Sequence, residues 1–188
     1  MIRIIGGEFK GRKLRKVPSP LVRPMPQRLK ETLFNILHLF IQDKIVLDGF
    51  AGTGSLGLEA LSRGAAEVVF VDEFPLATKI IRENIAKCQV AERTRVITKE
   101  FNRAVIQLAQ EGRRFDLVFL DPPYVLLEER NPLKVLKKRK VVNPGGIIIL
   151  RQHRRLDFQP KFYSPEREIV RGDDKLIFYR EEETKGNG

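Results

Sequence analysis

The chain has 188 residues, of which 42% are hydrophobic and 31% charged, a composition typical of one globular domain with a buried core. One cysteine and two histidines exclude an intramolecular disulfide and a cysteine-based zinc site, so we expect no metal cofactor. No apolar run approaches the roughly 18 residues of a membrane span. Residues 1–7 lack the apolar segment of a secretory signal, so we expect no secretory leader. We therefore expect a cytoplasmic protein without a membrane partner.

The net charge of +11 indicates a nucleic-acid partner, and its distribution strengthens that interpretation. Residues 1–30 contain nine Lys and Arg side chains and a single carboxylate, Glu8, whereas a charge serving only solubility would be spread along the chain. Two short strands, at 2–6 and 12–17, predict a basic hairpin, and the four prolines at 18–26 predict a semi-rigid connector. The predicted RNA-binding side chains are Arg3, Lys10, Arg12, Lys13, Arg15, Arg23 and Arg28.

Residues 27–40 carry apolar side chains at helical spacing, which predicts a helix packed on the core. Lys30 falls outside this apolar stripe, and we expect it to be solvated.

From residue 44 onward the pattern alternates between strand and helix, which predicts parallel strands with right-handed crossovers in an α/β fold. The predicted strands cover residues 44–49, 67–72, 93–98, 115–120 and 146–151, and the predicted helices cover residues 55–63, 75–88, 101–111 and 128–139. Two further strands, at 167–171 and 175–180, flank a Gly-Asp-Asp turn and predict an antiparallel hairpin that brings the sheet to seven strands. Residues 181–188 read as a frayed tail.

A glycine-rich turn follows the first strand of this series. Gly52, Gly54 and Gly57 match G-x-G-x-x-G, a spacing shared with dinucleotide-binding turns, so an NAD-dependent oxidoreductase is one interpretation. Asp48, which directly precedes this turn, would repel a pyrophosphate but attract a cationic amino-acid group. This favours S-adenosylmethionine (SAM), which carries an ammonium and a sulfonium and no phosphate. The acidic pair Asp72-Glu73 ends the second strand, where doubly wound folds bind a ribose.

The sequence Asp121-Pro122-Pro123-Tyr124 directly follows the fourth strand. Its prolines fix φ and remove two backbone donors, which leaves a rigid loop rich in acceptors. Acceptors that hold both N–H bonds of an exocyclic amine favour its pyramidalisation and attack on a methyl group, and Tyr124 offers a ring on which a base can stack. The target is therefore a guanine or an adenine that is single-stranded or flipped out.

Several stretches along almost the whole chain point to one family. They are Arg3 to Gly7, Gly11 to Leu14, Arg23-Pro24, Arg28, Glu31 to Asn35, Asp48 to Ala65, Arg82-Glu83-Asn84, Asp121 to Tyr124 and Gly172-Asp173. With these residues the chain closely resembles the RsmD-type methyltransferases, bacterial enzymes that methylate N2 of a guanine in 16S ribosomal RNA.

The resemblance implies a Rossmann-like class I methyltransferase fold that uses SAM, with S-adenosylhomocysteine as product and no metal. It places Asp121, Pro122, Pro123 and Tyr124 around the target amine. It assigns cofactor binding to Asp48, Phe50, Ala51, Gly52, Thr53, Gly54, Asp72, Glu73, Glu100 and Phe101, with Glu100 and Phe101 beside the adenine. The implied partner is 16S rRNA or a small-subunit assembly intermediate, and we expect a monomer.

This sequence departs from the family pattern at Met25-Pro26-Gln27, where Thr-Thr-Asp is usual, and at Gly49 and Glu100, where leucine and aspartate are common. Two alternatives stay open: an adenine-N6 methyltransferase acting on RNA or DNA, and an RNA-binding module without catalysis. We expect a basic extension at 1–26, a methyltransferase domain at 27–180 and a tail at 181–188.

Overall fold

A computed structural model of the chain describes residues 2–18 and 24–182. The strands are β1 (Ile2–Arg3), β2 (Lys13–Leu14), β3 (Ile45–Gly49), β4 (Glu67–Asp72), β5 (Thr94–Thr98), β6 (Phe115–Leu120), β7 (Val142–His153), β8 (Pro165–Arg171) and β9 (Asp174–Arg180). The helices are α1 (Gln27–Ile36), α2 (Ser55–Ser62), α3 (Pro75–Cys88), α4 (Phe101–Gln110), α5 (Val125–Arg130) and α6 (Pro132–Arg139), with a 3₁₀ turn at Ala91–Arg93.

Seven of the strands form one sheet in the order β5-β4-β3-β6-β7-β9-β8, and β1 pairs with β2 separately. The pairs β3–β4, β4–β5 and β6–β7 are parallel, whereas β7–β9 and β8–β9 are antiparallel. The predicted α/β fold, with a mostly parallel seven-stranded sheet and an antiparallel C-terminal hairpin, is therefore confirmed. Two compact units make up the chain, Met1–Phe101 and Asn102–Gly188.

In the first unit, the apolar strands β3 and β4 are almost wholly buried beside α2 and α3. Gly57 of α2 permits close packing of this helix on the sheet. A Cβ at this position would lie 2.3 Å from the Phe70 ring and 2.8 Å from Val68. The third glycine of G-x-G-x-x-G therefore serves helix–sheet packing, the role that this position has in doubly wound folds.

Residues 2–18, which we call the N-terminal strap, are packed onto the first unit along most of their length. Their strands pair as predicted, with Ile2 opposite Leu14 and Arg3 opposite Lys13, but each strand is only two residues long. Other backbone groups pair within the strap, such as Gly11 N–H with the Ile4 carbonyl, or find partners on α2 and α3, as the N–H groups of Glu8 and Arg15 do. Five apolar side chains of the strap are buried, namely Ile2, Ile4, Phe9, Leu14 and Val17.

A buried carboxylate on α2 anchors the strap. Glu59 is fully buried and accepts hydrogen bonds from the backbone N–H groups of Ile5 (2.9 Å) and Gly6 (2.8 Å). Arg63 donates to the same carboxylate at 2.9 Å, and the Lys30 ammonium lies 3.3 Å from it. The expectation that Lys30 is solvated is wrong: only 4% of its side chain is exposed, because Glu59 supplies the opposite charge that burial requires.

Lys30 also ties two distant segments of the first unit together. Its ammonium donates to the Arg3 carbonyl at 2.7 Å and to Ser55 Oγ, at the start of α2, at 3.1 Å. Burial lowers the pKa of Lys30, and the neighbouring Glu59 opposes that shift. The helix that carries Lys30 ends at Ile36 rather than at residue 40, because the chain continues in tight turns such as Phe40 N–H to the Leu37 carbonyl.

In the second unit, β6, β7, β9 and β8 lie side by side. The single helix predicted at 128–139 is wrong, because α5 and α6 are separate helices that meet at Asn131. Asn131 adopts a left-handed φ of 37° before Pro132, and its side chain accepts a hydrogen bond from Lys134 N–H at 3.0 Å. A residue before proline is disfavoured from continuing a helix, and asparagine is a favoured N-cap.

Strand β7 begins at Val142, four residues earlier than predicted. The segment Asn143-Pro144-Gly145-Gly146 is accommodated in the strand by a shift in register against β6 between Phe115 and Leu117. The proposed division at residues 26 and 180 stays a prediction, and residues 19–23 and 183–188 lie outside the described part of the chain.

Candidate functional site

The first group of candidate residues lies in the turn between β3 and α2. The backbone reverses through left-handed conformations at Phe50 (φ 58°), Gly52 (φ 57°) and Gly54 (φ 75°). A left-handed φ is strained for phenylalanine, and such strain is typical of functional turns. Ala51 N–H donates to the Val71 carbonyl of β4 at 3.0 Å, which fixes the turn against the end of the neighbouring strand.

Asp48 lies inside this turn, with only 1% of its surface exposed. Its Oδ2 accepts a hydrogen bond from the Gly57 N–H in the first turn of α2 at 2.9 Å. A carboxylate at a helix N-terminus satisfies a free N–H group and interacts favourably with the helix dipole. The predicted cofactor residue thus also shapes the turn on which the glycines lie.

Asp72 holds the same turn from β4. Its Oδ2 accepts from Gly52 N–H at 2.8 Å, and its Oδ1 accepts from Phe74 N–H at 3.0 Å. Burial raises the pKa of Asp72, and these two backbone hydrogen bonds oppose the shift. Each carboxylate oxygen can accept a second hydrogen bond, so the ribose contact predicted for Asp72 stays open. The adjacent Glu73 is half-exposed.

Two aromatic candidates meet in the first unit. The rings of Phe50 and Phe101 stack with centroids 5.0 Å apart and an interplanar angle of 24°. Phe101 is buried at the start of α4, and the preceding Glu100 is half-exposed. The structure therefore groups the turn residues with Phe101, which sequence reasoning placed beside the adenine of the cofactor.

Asn84 of α3 is fully buried and connects the N-terminal strap with the glycine turn. Its Oδ1 accepts from Arg15 N–H at 2.8 Å, and its Nδ2 donates to the carbonyls of Arg15 (3.1 Å) and Thr53 (2.9 Å). All of these partners are backbone groups, so the contact fixes the two segments regardless of their side chains. Sequence reasoning noted Asn84 only as part of a matching stretch and gave it no role.

The second group of candidates, Asp121 to Tyr124, lies between β6 and α5 in the second unit. Pro122 is buried and Pro123 is exposed. The Pro123 carbonyl accepts from Leu126 N–H at 2.9 Å, which joins the rigid loop to the first turn of α5. The half-buried Tyr124 ring lies edge-on to His153, with centroids 6.0 Å apart and an interplanar angle of 69°.

Asp121 pairs with an arginine that the sequence pattern alone does not single out. Arg151 Nη1 donates to Asp121 Oδ2 at 3.0 Å, and Nε and Nη2 of the same guanidinium contact Asp174 Oδ1 at 3.0 and 2.9 Å. Burial raises the pKa of the Asp121 carboxyl, Arg151 opposes that shift and Asp174 adds to it. The signal available in the sequence was a single arginine at the end of the apolar run 146–151.

The predicted RNA-binding side chains differ in how far the fold already engages them. Lys10, Lys13 and Arg28 are exposed. Arg12 donates to the Lys87 carbonyl at 2.7 Å, and Arg15 pairs with Glu83. The other two members of the set are Arg3, which is exposed, and Arg23, which lies outside the described residues.

No group of three or more His, Cys, Asp or Glu side chains within ranges 2–18 and 24–182 is placed to hold a metal ion. None of the helices in those ranges combines the length and the apolar character needed to cross a membrane.

Comparison with solved structures places this fold among methyltransferases. A putative methyltransferase of Escherichia coli, yhhF, superimposes with a TM-score of 0.82 at 35% identity, over 96% of this chain and 98% of that chain. An RNA methyltransferase of Salinibacter ruber, solved with S-adenosyl-L-homocysteine, shares the fold with a TM-score of 0.67 at 16% identity, over 88% of this chain and 98% of that one.

Sequence comparison identifies the family. The chain is 35% identical over 147 residues to the ribosomal RNA small subunit methyltransferase D of Haemophilus influenzae, covering 78% of this chain and 76% of that protein. The Escherichia coli K12 protein of the same name is 45% identical over 130 residues, which are 68% of this chain and 64% of its own length. The family model described as "Conserved hypothetical protein 95" matches residues 2–180. The chain therefore belongs to this family, that of the RsmD-type methyltransferases.

Proposed function

We propose that this protein is a SAM-dependent methyltransferase that modifies the exocyclic N2 amine of a guanine in 16S ribosomal RNA. The observation that carries the proposal is the rigid Asp121-Pro122-Pro123-Tyr124 loop directly after β6, in a chain whose relatives are named ribosomal RNA small subunit methyltransferases. Its substrate would be naked 16S rRNA or an assembly intermediate of the small subunit. The proposal includes a cytoplasmic location and action as a monomer.

The residues of the first unit fit SAM by their chemistry. In the turn at 50–54, Gly52 and Gly54 let a ligand approach the backbone closely, and the Asp48 carboxylate favours a cationic amino-acid group over a phosphate. We assign the methionine part of SAM to Asp48 and residues 50–54, the ribose to Asp72 and Glu73, and the adenine to Glu100 and Phe101. When bound there, SAM would supply a methyl group activated by its sulfonium.

The residues of the second unit fit an aromatic amine. Asp121 keeps a carboxylate at the end of β6, and the carbonyl of Pro122 is the second acceptor that we assign to the amine. Together they would hold its two N–H bonds, favour pyramidalisation of the nitrogen and stabilise the positive charge that develops during attack. Asp121 can take the proton afterwards, and Tyr124 would stack on the base. Positioning the amine in line with the methyl group supplies much of the rate.

The choice of guanine over adenine rests on the RsmD-type resemblance, since an acceptor-rich loop suits either exocyclic amine. RNA binding is assigned to the exposed cations of the N-terminal strap and α1. Phosphate contacts of this kind provide affinity without sequence choice, so specificity would come from RNA shape and from the fit of the base in its pocket.

The test uses SAM labelled in the methyl group with purified protein and either naked 16S rRNA or small subunits that lack their methylations. The RNA is digested and its nucleosides are identified by mass. We expect label on N2-methylguanosine. Label on N6-methyladenosine would move the target to adenine, and RNA binding without label would favour the non-catalytic alternative.

Replacement of Asn84 by alanine is expected to weaken SAM binding about tenfold, the equivalent of roughly 1.4 kcal/mol. The change leaves the Thr53 carbonyl and the Arg15 backbone groups without their buried partner, so the glycine turn loses a fixed point. Calorimetric titration with SAM measures the effect, and Asn35→Ala on the exposed face of α1 is the matched control. Equal affinity in both variants would show that the turn does not depend on Asn84.

Replacement of Lys10 and Lys13 by alanine is expected to weaken RNA binding and to reduce its salt dependence. Each phosphate contact that is lost should lower the slope of log K against log salt by about one. Binding of a 16S rRNA fragment across a salt series measures this slope. Lys161→Ala, an exposed lysine of the second unit, is the control. An unchanged slope in the double variant would exclude Lys10 and Lys13 from phosphate binding.

A further inference from the structure

Arg151 lies between two carboxylates, Asp121 directly after β6 and Asp174 at the start of β9. Its side chain is only 8% exposed, while those of Asp121 and Asp174 are 22% and 14% exposed. One guanidinium nitrogen contacts Asp121 Oδ2, and two others contact Asp174 Oδ1. The planar fork of arginine can serve both carboxylates at once, which a lysine ammonium cannot do with the same geometry.

Strand register explains why these three side chains meet. Leu120 of β6 pairs with Leu150 of β7, so Asp121 and Arg151 follow at the same level. Asp174 of β9 is opposite His153, two residues beyond Arg151 and therefore on the same face of the sheet. The register of three adjacent strands thus brings the contact together, with Asp121 directly after the last residue of β6.

The arrangement leaves one oxygen of Asp121 available. Among the residues that the structure describes, Arg151 is the hydrogen-bond donor to the Asp121 carboxylate, and it donates to Oδ2. Oδ1 therefore keeps its lone pairs for a donor from outside the protein. A carboxylate held at one oxygen has a fixed plane, and so the direction of its other oxygen is fixed as well.

We propose that Arg151 is a positioning residue for methyl transfer: anchored by Asp174, it orients the Asp121 carboxylate so that Oδ1 accepts a hydrogen bond from the target amine. The inference rests on the proposed function, because it concerns the orientation of the acceptor that holds the amine. Reacting groups must be placed within a fraction of an ångström, and a misplacement of about 1 Å can cost about 10²-fold in rate.

The contacts with Arg151 and Asp174 also influence the pKa of the Asp121 carboxyl. The charged groups that face it are Arg151 of β7 and Asp174 of β9, and the nearby titratable side chains are Tyr124 and His153, whose rings meet. Removing Arg151 should raise the pKa of Asp121 further, since a cation at this distance favours the carboxylate. Neutralising Asp174 should lower the pKa of Asp121, since one repelling charge is removed.

The experiment compares Arg151→Gln, Arg151→Lys and Asp174→Asn with Arg180→Gln as control. Arg180 lies in β9 and pairs with Glu166 at the surface, where its side chain is 45% exposed. Two measurements are made on each full-length protein: single-turnover methyl transfer to rRNA between pH 5 and 9, and titration of the carbon-13-labelled Asp121 carboxyl by NMR. Thermal unfolding verifies that each variant is folded.

For Arg151→Gln we expect transfer about 10²-fold slower at neutral pH, with the pKa of Asp121 raised above its wild-type value because the neighbouring cation is lost. Arg151→Lys should recover part of the rate, because it restores the charge without the fork. Asp174→Asn should move the acid limb of the rate profile in the opposite direction, to lower pH. Arg180→Gln should match the wild type in both measurements.

Folded Arg151→Gln with wild-type transfer rates would overturn the positioning role while leaving the proposed function intact, even if the carboxyl titration moved. An unchanged titration of Asp121 in both Arg151 variants and Asp174→Asn would overturn it independently of any activity. Failure of the proposed function would look different: the wild-type protein itself would place no label on guanosine or adenosine, whatever the carboxyl titration showed.

Discussion

Asp121→Ala is expected to slow methyl transfer about 10³-fold, within the range found when a preorganised charge stabiliser or proton acceptor is removed. The variant lacks the carboxylate that accepts an N–H bond of the amine, so the nitrogen is neither oriented nor stabilised as it becomes positive. Single-turnover transfer of a labelled methyl group to rRNA measures the loss. SAM affinity should stay within a few-fold of wild type, because the residues assigned to SAM belong to the first unit.

Asp121→Asn separates the two contributions of this side chain. The amide keeps an oxygen acceptor and nearly the same shape but lacks the negative charge, so its rate should fall between those of wild type and Asp121→Ala. Wild-type turnover in Asp121→Ala would remove Asp121 from the reaction. A loss of SAM binding as large as the loss of rate would instead indicate that the variant disturbs the fold.

The raised pKa of Asp121 also predicts a pH dependence of the reaction. Transfer requires the carboxylate form, so the acid limb of the rate profile should lie above the usual aspartate value near 3.8. The same raised pKa makes the stability of the fold depend on pH in the opposite direction to the reaction rate. A carboxyl whose pKa is raised by folding contributes stability below its unfolded pKa, and this contribution is lost as the pH rises through the folded pKa. Asp121→Asn should therefore be at least as stable as wild type at neutral pH.

Much of the first unit could be predicted because its signals are local in sequence. Apolar runs that end in Asp48 and Asp72 mark two strands and their carboxyl ends, and the glycine spacing marks the turn that Asp72 holds. Asp121 was found in the same way, because a buried strand runs directly into a double proline. Each of these features needs only a window of a few residues.

The features that sequence reasoning missed depend on contacts between distant residues. Arg151 meets both Asp121 and Asp174 only because the registers of three strands coincide, and no pattern within one strand reveals a register. In the sequence, Lys30 looks like any polar residue on an amphipathic helix. Its burial follows from Glu59, which belongs to another helix and lies beside it only in the fold. The helix break at Asn131 is different, since Pro132 was a local signal that should have divided the predicted helix.

The N-terminal strap was expected to be a separate basic hairpin, yet its backbone is held by Glu59 and Asn84 while its lysines stay at the surface. This arrangement allows one segment to serve two purposes. Backbone and apolar groups attach it to the fold, and exposed cations remain available for phosphates. Deletion of the strap would therefore expose buried apolar side chains and leave Glu59 without two of its donors, so it would not be a clean test of RNA binding.

Glu59→Ala is expected to lower the free energy of unfolding by about 3–5 kcal/mol, the cost typical of removing one partner from a buried charge cluster. The change leaves Lys30 and Arg63 without the carboxylate between them and removes the acceptor of the Ile5 and Gly6 N–H groups. Burial already lowers the pKa of Lys30, and loss of Glu59 should lower it further. Urea denaturation followed by circular dichroism measures the unfolding free energy.

The control for this prediction is Glu166→Ala, which breaks the surface ion pair with Arg180, in which both side chains are nearly half exposed. Exposed pairs contribute little, so the control should change stability by less than about 1 kcal/mol. Hydrogen exchange adds a local measurement: the amides of Ile5 and Gly6 should lose protection in Glu59→Ala and keep it in Glu166→Ala. If both variants unfolded at the same urea concentration, Glu59 would not anchor the strap, and the buried charges would have to be stabilised by the Arg3 carbonyl and Ser55 contacts of Lys30 alone.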